Sequence, residues 1–212
     1  MKLIGMIDSP YVRRVAISFK MLGISFEHLP LSVFSDYDKV AAINPIVKVP
    51  TVVTDENIVL MDSNLILDYV QRLTASEQNL MPTDLKTYAQ AQRLLGIILA
   101  ACEKAVQTVY EYNLRPAEIQ YQPWLDRIHG QLVAALTLLE KEAQAAKPWL
   151  LGDKVMQPDI SCAVTVRFIR GKLTSHINMD NYPALMALSQ QAEATEAFKA
   201  FPFPAEDYTG RR

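Results

Sequence analysis

The stretch Lys2-Leu3-Ile4-Gly5-Met6-Ile7-Asp8-Ser9-Pro10-Tyr11-Val12 decides how this chain is read. Lys2 to Ile7 is a short apolar run of strand character. Ser9-Pro10 follows at once: a side chain that caps helices, then a proline suited to the first helical position. Val12, Val15, Ala16, Phe19 and Leu22 recur at helical spacing, and Gly23 stops the helix. A strand therefore runs straight into a helix, with Ser9-Pro10-Tyr11-Val12 at the junction.

Working outward, Phe26 to Leu31 reads as a second strand, and Val33 to Asn44 as a polar stretch with at most a short helix. Thr51 to Thr54 and Ile58 to Met61 read as a hairpin around Asp55-Glu56-Asn57. Asp62-Ser63-Asn64 caps a helix whose expected apolar face holds Leu65, Ile66, Tyr69, Val70 and Leu73. The order is β-α-β-(α)-β-β-α. Thr74 to Thr83 is polar and reads as a linker. After it the pattern is helical almost throughout. Leu85 to Tyr112 carries Tyr88, Leu95, Ile98, Leu99, Cys102, Val106 and Val109 on its expected face. Trp124 to Ala145 carries Leu125, Ile128, Leu132, Leu136 and Leu139. Pro158 to Ile169 and Tyr182 to Glu193 are shorter helices. The tail holds Phe198, Phe201, Phe203 and Tyr208 around two prolines, and reads as an ordered strap.

Composition removes several classes of function. Half of the 212 residues are hydrophobic, so disorder is excluded. Net charge is −2, without the basic stripe of a nucleic-acid binder. Cys102 and Cys162 cannot build a disulfide framework, which points to the reducing cytoplasm. The apolar run at the N-terminus is too short for a signal peptide, and no stretch is long enough to span a bilayer. The 7 glycines form no phosphate-cradling motif. His28, His129 and His176 have no metal-ligand spacing with either cysteine, so no metal is expected.

Three pieces carry chemistry. Ser9 at a helix start is either a plain N-cap or a hydroxyl that donates to an anion, helped by the helix dipole. In Asn44-Pro45-Ile46-Val47-Lys48-Val49-Pro50-Thr51, a proline opens a strand and cannot donate to the ladder. A cis Val49-Pro50 bond would leave the Val49 N–H and C=O free for an extended peptide; an ordinary edge-strand proline is the alternative. Asp62-Ser63 is either a helix cap or a receptor for an α-amino acid end. In that role the carboxylate faces the ammonium, and the Ser63 hydroxyl with free helix N–H groups faces the carboxylate.

In this order, the three pieces resemble the cytosolic glutathione transferase superfamily, serine-type and bacterial. The resemblance covers nearly the whole chain. It implies a thioredoxin-like α/β domain over residues 1–76 and an all-α domain over 85–212. In the thioredoxin-like fold, the first junction often holds a redox C-x-x-C. Ser9 and Val12 stand there instead, which excludes dithiol chemistry. Leu151-Gly152-Asp153 with Asp159 is similar to the superfamily's buried capping motif, but Met156 stands where Ser or Thr is usual. Val47 replaces a common glycine, and Asp62 a more usual Glu or Gln.

The resemblance implies glutathione as co-substrate, without a metal. Ser9 would be the catalytic serine. Val49, preceding Pro50, would hold the cysteinyl backbone. Asp62 and Ser63 would hold the γ-glutamyl end, and Lys48 would face the glycyl carboxylate. The implied reaction is thiolate attack on a small hydrophobic electrophile, in a cytoplasmic homodimer with a role in detoxification. Tyr110, Arg115 and Phe201 are candidates for the electrophile site, with Tyr112 and Tyr121 beside them. Glu103 matches a position that reaches the neighbouring subunit's glutamyl amine. Another glutathione-dependent enzyme (isomerase, dehalogenase or peroxidase) and a non-catalytic interaction module are the competing readings.

Overall fold

Ser9 and Pro10 start helix α1 (Pro10–Met21) where the sequence places it, and Gly23 follows its end in the left-handed region with φ 69°. The computed structural model describes residues 1–75 and 78–204. They group into two compact units: Met1–Leu80 with the described residues from Glu193 onward, and Met81–Ala192. The sequence predicts an all-α region over 85–212; the described stretch from Glu193 groups instead with the first unit. Tyr208 lies outside the described residues.

The first unit holds four short strands, β1 (Lys2–Ile4), β2 (Glu27–Leu29), β3 (Thr51–Val53) and β4 (Val59–Met61), in the order β2-β1-β3-β4. β1 runs parallel to β2 and antiparallel to β3, with Leu3 opposite both His28 and Val52. Each strand is shorter than its apolar run. Gly5, at φ 132°, turns the chain out of β1. Helices α2 (Tyr37–Ile43) and α3 (Ser63–Gln71) complete the α/β layer. This is the thioredoxin-like arrangement expected, built on Leu3, Ile4, Val12, Val15, Phe19, Val52, Ile66 and Val70, all fully buried. The expected face of α3 is corrected. Ser63, Ile66, Leu67 and Val70 are buried, whereas Leu65 and Leu73 stand exposed.

The stretch from Glu193 is tied to α1 by Arg13, whose side chain is wholly buried. Its guanidinium takes Glu193 in a fork, at 2.5 and 2.6 Å, and Nε donates to the Phe201 carbonyl at 2.8 Å. The cation also lies over the Phe198 ring of α8 (Glu196–Lys199), 5.5 Å from its centroid. A buried guanidinium is tolerable only when its donors are spent in this way.

The second unit is helical: α4 (Leu85–Leu114), α5 (Gln122–Ala145), α6 (Gln157–Lys172) and α7 (Pro183–Glu193). The expected α5 face is buried throughout. On α4 the buried face includes Ala91, Ala101 and Ala105, and Tyr88 is exposed. α6 is buried along nearly its whole length, and Glu140 of α5 caps α7 by accepting from the Ala184 and Leu185 N–H groups, both at 2.9 Å. Asp159, fully buried in the first turn of α6, accepts from Leu150 N–H at 2.8 Å and Met156 N–H at 2.9 Å. Asp153 is exposed. Met156 has no side-chain oxygen to offer the cap; its carbonyl accepts from the Asp159 N–H at 3.0 Å, and Asp159 accepts its N–H in return.

Burial pushes the Asp159 carboxyl up to about 6, against the pull of its two N–H donors. The folded state therefore holds the proton more tightly than the unfolded chain. The stability this confers is complete below about pH 4 and is lost as pH rises through about 6. Asp159→Asn does not titrate. The wild-type advantage over Asp159→Asn should fall by about 2.4 kcal/mol between pH 4 and pH 7 at 1.36 kcal/mol per unit. Denaturant melts of both proteins across that range check it; a flat difference counts against it.

Candidate functional site

Two segments of the first unit meet at Gly5, and one of them reaches a third. An added Cβ on Gly5 would lie 2.5 Å from Val12 Cγ2 and 2.9 Å from Val49 Cβ. The first turn of α1 and the loop before β3 thus meet where no side chain fits. The same loop reaches the start of α3. Lys48 Nζ lies 3.7 Å from Asp62 Oδ2, and Asn44 Nδ2 lies 3.5 Å from Met61 Sδ.

Ser9 is half-buried and caps α1 loosely. Val12 N–H reaches its Oγ at 3.4 Å, beyond the usual 2.9–3.0 Å of a strong amide bond. The hydroxyl accepts here, so its own hydrogen remains to be donated. The N-terminal dipole of the helix lies behind it.

The loop of Val47, Lys48 and Val49 is built from buried Asn44. Its Nδ2 donates to Thr51 Oγ1 at 2.9 Å, and its Oδ1 accepts from Ile46 N–H at 3.1 Å. Thr51 Oγ1 in turn donates to the Lys48 carbonyl at 2.6 Å. Val47 sits at φ 53°, a left-handed conformation that a β-branched residue adopts only when its surroundings force it. The Val49–Pro50 bond is cis, and Pro50 is buried. Among the described residues, neither the Val49 N–H nor its C=O has a hydrogen-bond partner.

Asp62 is strained as well, at φ 71° and ψ 122°. Strain of this kind, about 1–3 kcal/mol, persists where the surroundings over-determine it and gathers at ligand sites. Its Oδ1 accepts from Asn64 N–H at 2.9 Å, and Oδ2 faces Lys48. Both charges of that pair are about half exposed, so it adds little to stability. Ser63 is buried, with its Oγ accepting from Arg14 Nη1 at 2.9 Å. Ser9 thus lies at the start of α1, Lys48, Val49 and Pro50 on the loop that meets it at Gly5, and Asp62 and Ser63 on the α3 start that this loop reaches.

The electrophile-site candidates do not form a comparable group within either unit. Phe201 belongs to the first unit, where its ring stacks on Phe26 at 5.7 Å between centroids. Tyr110 and Arg115 belong to the second; both are exposed, and Arg115 pairs with Glu111 at 2.9 Å. Tyr112 stacks on His176, 4.0 Å between centroids, and Tyr121 is exposed. Glu103 bonds along its own helix, to Lys104 at 3.1 Å and Gln107 at 2.9 Å. Among the described residues, no group of three or more His, Cys, Asp or Glu side chains is placed to hold a metal ion, and no helix is long and apolar enough to cross a membrane. Gly5, Asn44 and Arg14 escaped the sequence reading. Of these only Asn44 left a signal, as the start of the Asn-Pro motif.

The family model of the glutathione S-transferase N-terminal domain matches residues 3–78. Relatives extend the likeness over the rest of the chain and support the glutathione S-transferase superfamily. The uncharacterized GST-like protein YibF of Escherichia coli K12 is 26% identical over 93% of this chain and 96% of its own. Glutathione S-transferase U1 of Arabidopsis thaliana is 29% identical over 97% of this chain and 89% of its own. A glutathione S-transferase of Methylobacterium radiotolerans, solved with glutathione sulfonate, shares the fold. It has a TM-score of 0.88 and 23% identity, over 100% of this chain and 98% of that one.

The convergence in this domain depends on the missing Gly5 side chain. Gly5→Ala should cost about 1–3 kcal/mol from the positive-φ backbone, and further strain where its Cβ meets Val12 and Val49. Thermal melts read the loss. A variant as stable as wild type would show that the loop yields freely.

Proposed function

We propose that this chain is a glutathione S-transferase in which Ser9 activates the thiol of glutathione for attack on a small hydrophobic electrophile. One observation carries the reading. In a glutathione S-transferase N-terminal domain, a loosely engaged hydroxyl at a helix start stands beside a peptide unit whose N–H and C=O are both unspent. An extended peptide can pair with Val49, and its sulfur then falls toward the start of α1. Asp62 holds the glutamyl ammonium, Ser63 the glutamyl carboxylate, and Lys48 the glycyl carboxylate. The glutathione sulfonate bound by the Methylobacterium radiotolerans protein supports this choice of ligand. The reading includes a serine-type enzyme of bacterial kind, working in the cytoplasm as a homodimer in detoxification.

Magnitudes favour Ser9 as sufficient. A free thiol of pKa ~8.5 is only slightly ionised at neutral pH. Lowering it by about two units needs about 2.7 kcal/mol of preferential thiolate stabilisation. A hydrogen bond to a charged group supplies about 1.5–3 kcal/mol. The helix N-terminus adds about 0.3–1 kcal/mol. No further base is required.

Ser9→Ala should leave glutathione affinity near wild type, because Val49, Asp62 and Ser63 still hold the peptide. It should raise the pKa of bound glutathione by about one to two units, the loss of one charge-assisted bond. Turnover at neutral pH should fall and partly return in alkali. Ultraviolet thiolate absorbance of the binary complex across pH reads the shift. Superimposable titrations of wild type and variant would reduce Ser9 to an N-cap.

A further inference from the structure

Arg13 and Arg14 are neighbours on α1, and both are buried. Successive helical residues point about 100° apart, so the two guanidinium groups reach different partners. Arg13 is consumed by Glu193 and the Phe201 carbonyl. Arg14 turns to the first turn of α3. Its Nη1 donates to Ser63 Oγ at 2.9 Å and to Asn64 Oδ1 at 2.8 Å. Both hydrogens of that nitrogen are therefore spent on consecutive residues of the proposed glutamyl site.

This contact constrains Ser63. A hydroxyl has one hydrogen to give and two lone pairs to accept with. With a lone pair turned to Nη1, the Ser63 O–H points away from Arg14. Among the described residues it has no acceptor. The charge behind the oxygen polarises the O–H into a stronger donor, as hydrogen bonds in series do in a low-dielectric setting. The N-terminus of α3 adds a field of the same sign. A carboxylate is the group that satisfies such a donor.

We infer that Arg14 is a positioning residue for the α-carboxylate of the glutamyl end, acting through Ser63 without touching the ligand. The inference rests on the glutathione reading above. It accounts for a cation that α1 keeps out of water on the side facing the ligand-binding turn. It also makes the link between α1 and α3 a chemical one: the helix that carries Ser9 aims the hydroxyl of Ser63.

The test is a double-mutant cycle of wild type, Arg14→Met, Ser63→Ala and the double variant, with glutathione binding read by calorimetry. A second probe is 4-aminobutanoyl-cysteinylglycine, which keeps the amine and the peptide but lacks the α-carboxylate. Arg14→Met should weaken glutathione about tenfold and leave the second probe within twofold. In the Ser63→Ala background, Arg14→Met should change glutathione affinity by less than twofold, because its effect travels through the hydroxyl. With a small aryl halide as electrophile, KM for glutathione should rise while kcat holds within twofold. Should Arg14→Met fail to fold, Arg14→Lys takes its place in the cycle; it keeps the cation but not the reach to both partners, and should weaken glutathione less. Additive losses, or equal losses for both probes, overturn the inference and leave Arg14 as packing between helices. A wild type that binds no glutathione overturns the functional reading and the inference with it.

Discussion

Gly5 is the point on which the first unit turns. Val12 of α1 and Val49 of the loop before β3 both approach within a distance that no Cβ tolerates. Shortening β1 at Ile4 lets the chain swing out, form the Ser9 cap and begin α1 over the sheet. It also lets the Val49 peptide come alongside. The hydrogen bond from Gly5 N–H to Leu29 O at 3.0 Å, and that between His28 Nε2 and Gly5 O at 2.8 Å, fix the turn against β2. A backbone without a side chain, held from both of its polar groups, sets the spacing between the start of α1 and the Val49 loop.

Much of this was legible in the sequence, for identifiable reasons. α1 carried its own start and stop, Ser9-Pro10 and Gly23, and α5 a clean apolar stripe. Those signals are local and survive folding. The α3 face was not legible because Leu65 and Leu73 are apolar yet exposed. Periodicity cannot tell a buried leucine from an exposed one. On α4 the contact surface uses alanines, which a search for large apolar residues passes over. The strands came out short because apolar residues continue past the end of pairing, as Met6 and Ile7 do.

The candidate site divides the same way. Ser9, Val49 and Asp62-Ser63 were recognisable as helix caps and a strand-opening proline, motifs with local physical meaning. Arg14 was not, because its partner Ser63 lies on α3, 49 residues away in the chain. Nothing local in the sequence of α1 distinguishes Arg13 from Arg14. Folding buries both, and only the three-dimensional partners separate the one that ties down Glu193 from the one that meets Ser63. The same holds for the stretch from Glu193. Its grouping with the first unit follows from the buried Arg13 charge, which takes its acceptors from that stretch.

The three helix starts differ in how fully their caps are made. α6 begins with Asp159 accepting from the Leu150 and Met156 N–H groups at 2.8 and 2.9 Å, bonds that tie the preceding loop to its first turn. α1 begins with a cap at 3.4 Å, and α3 with an aspartate forced to φ 71°. Both give up part of what a well-made cap contributes, about 1 kcal/mol. The deficit is small beside the burial of the apolar face of α1, where Val12, Val15, Ala16, Ile17 and Phe19 are fully buried. A helix anchored along its length can leave its first turn under-satisfied. An under-satisfied first turn is what an anion needs to find.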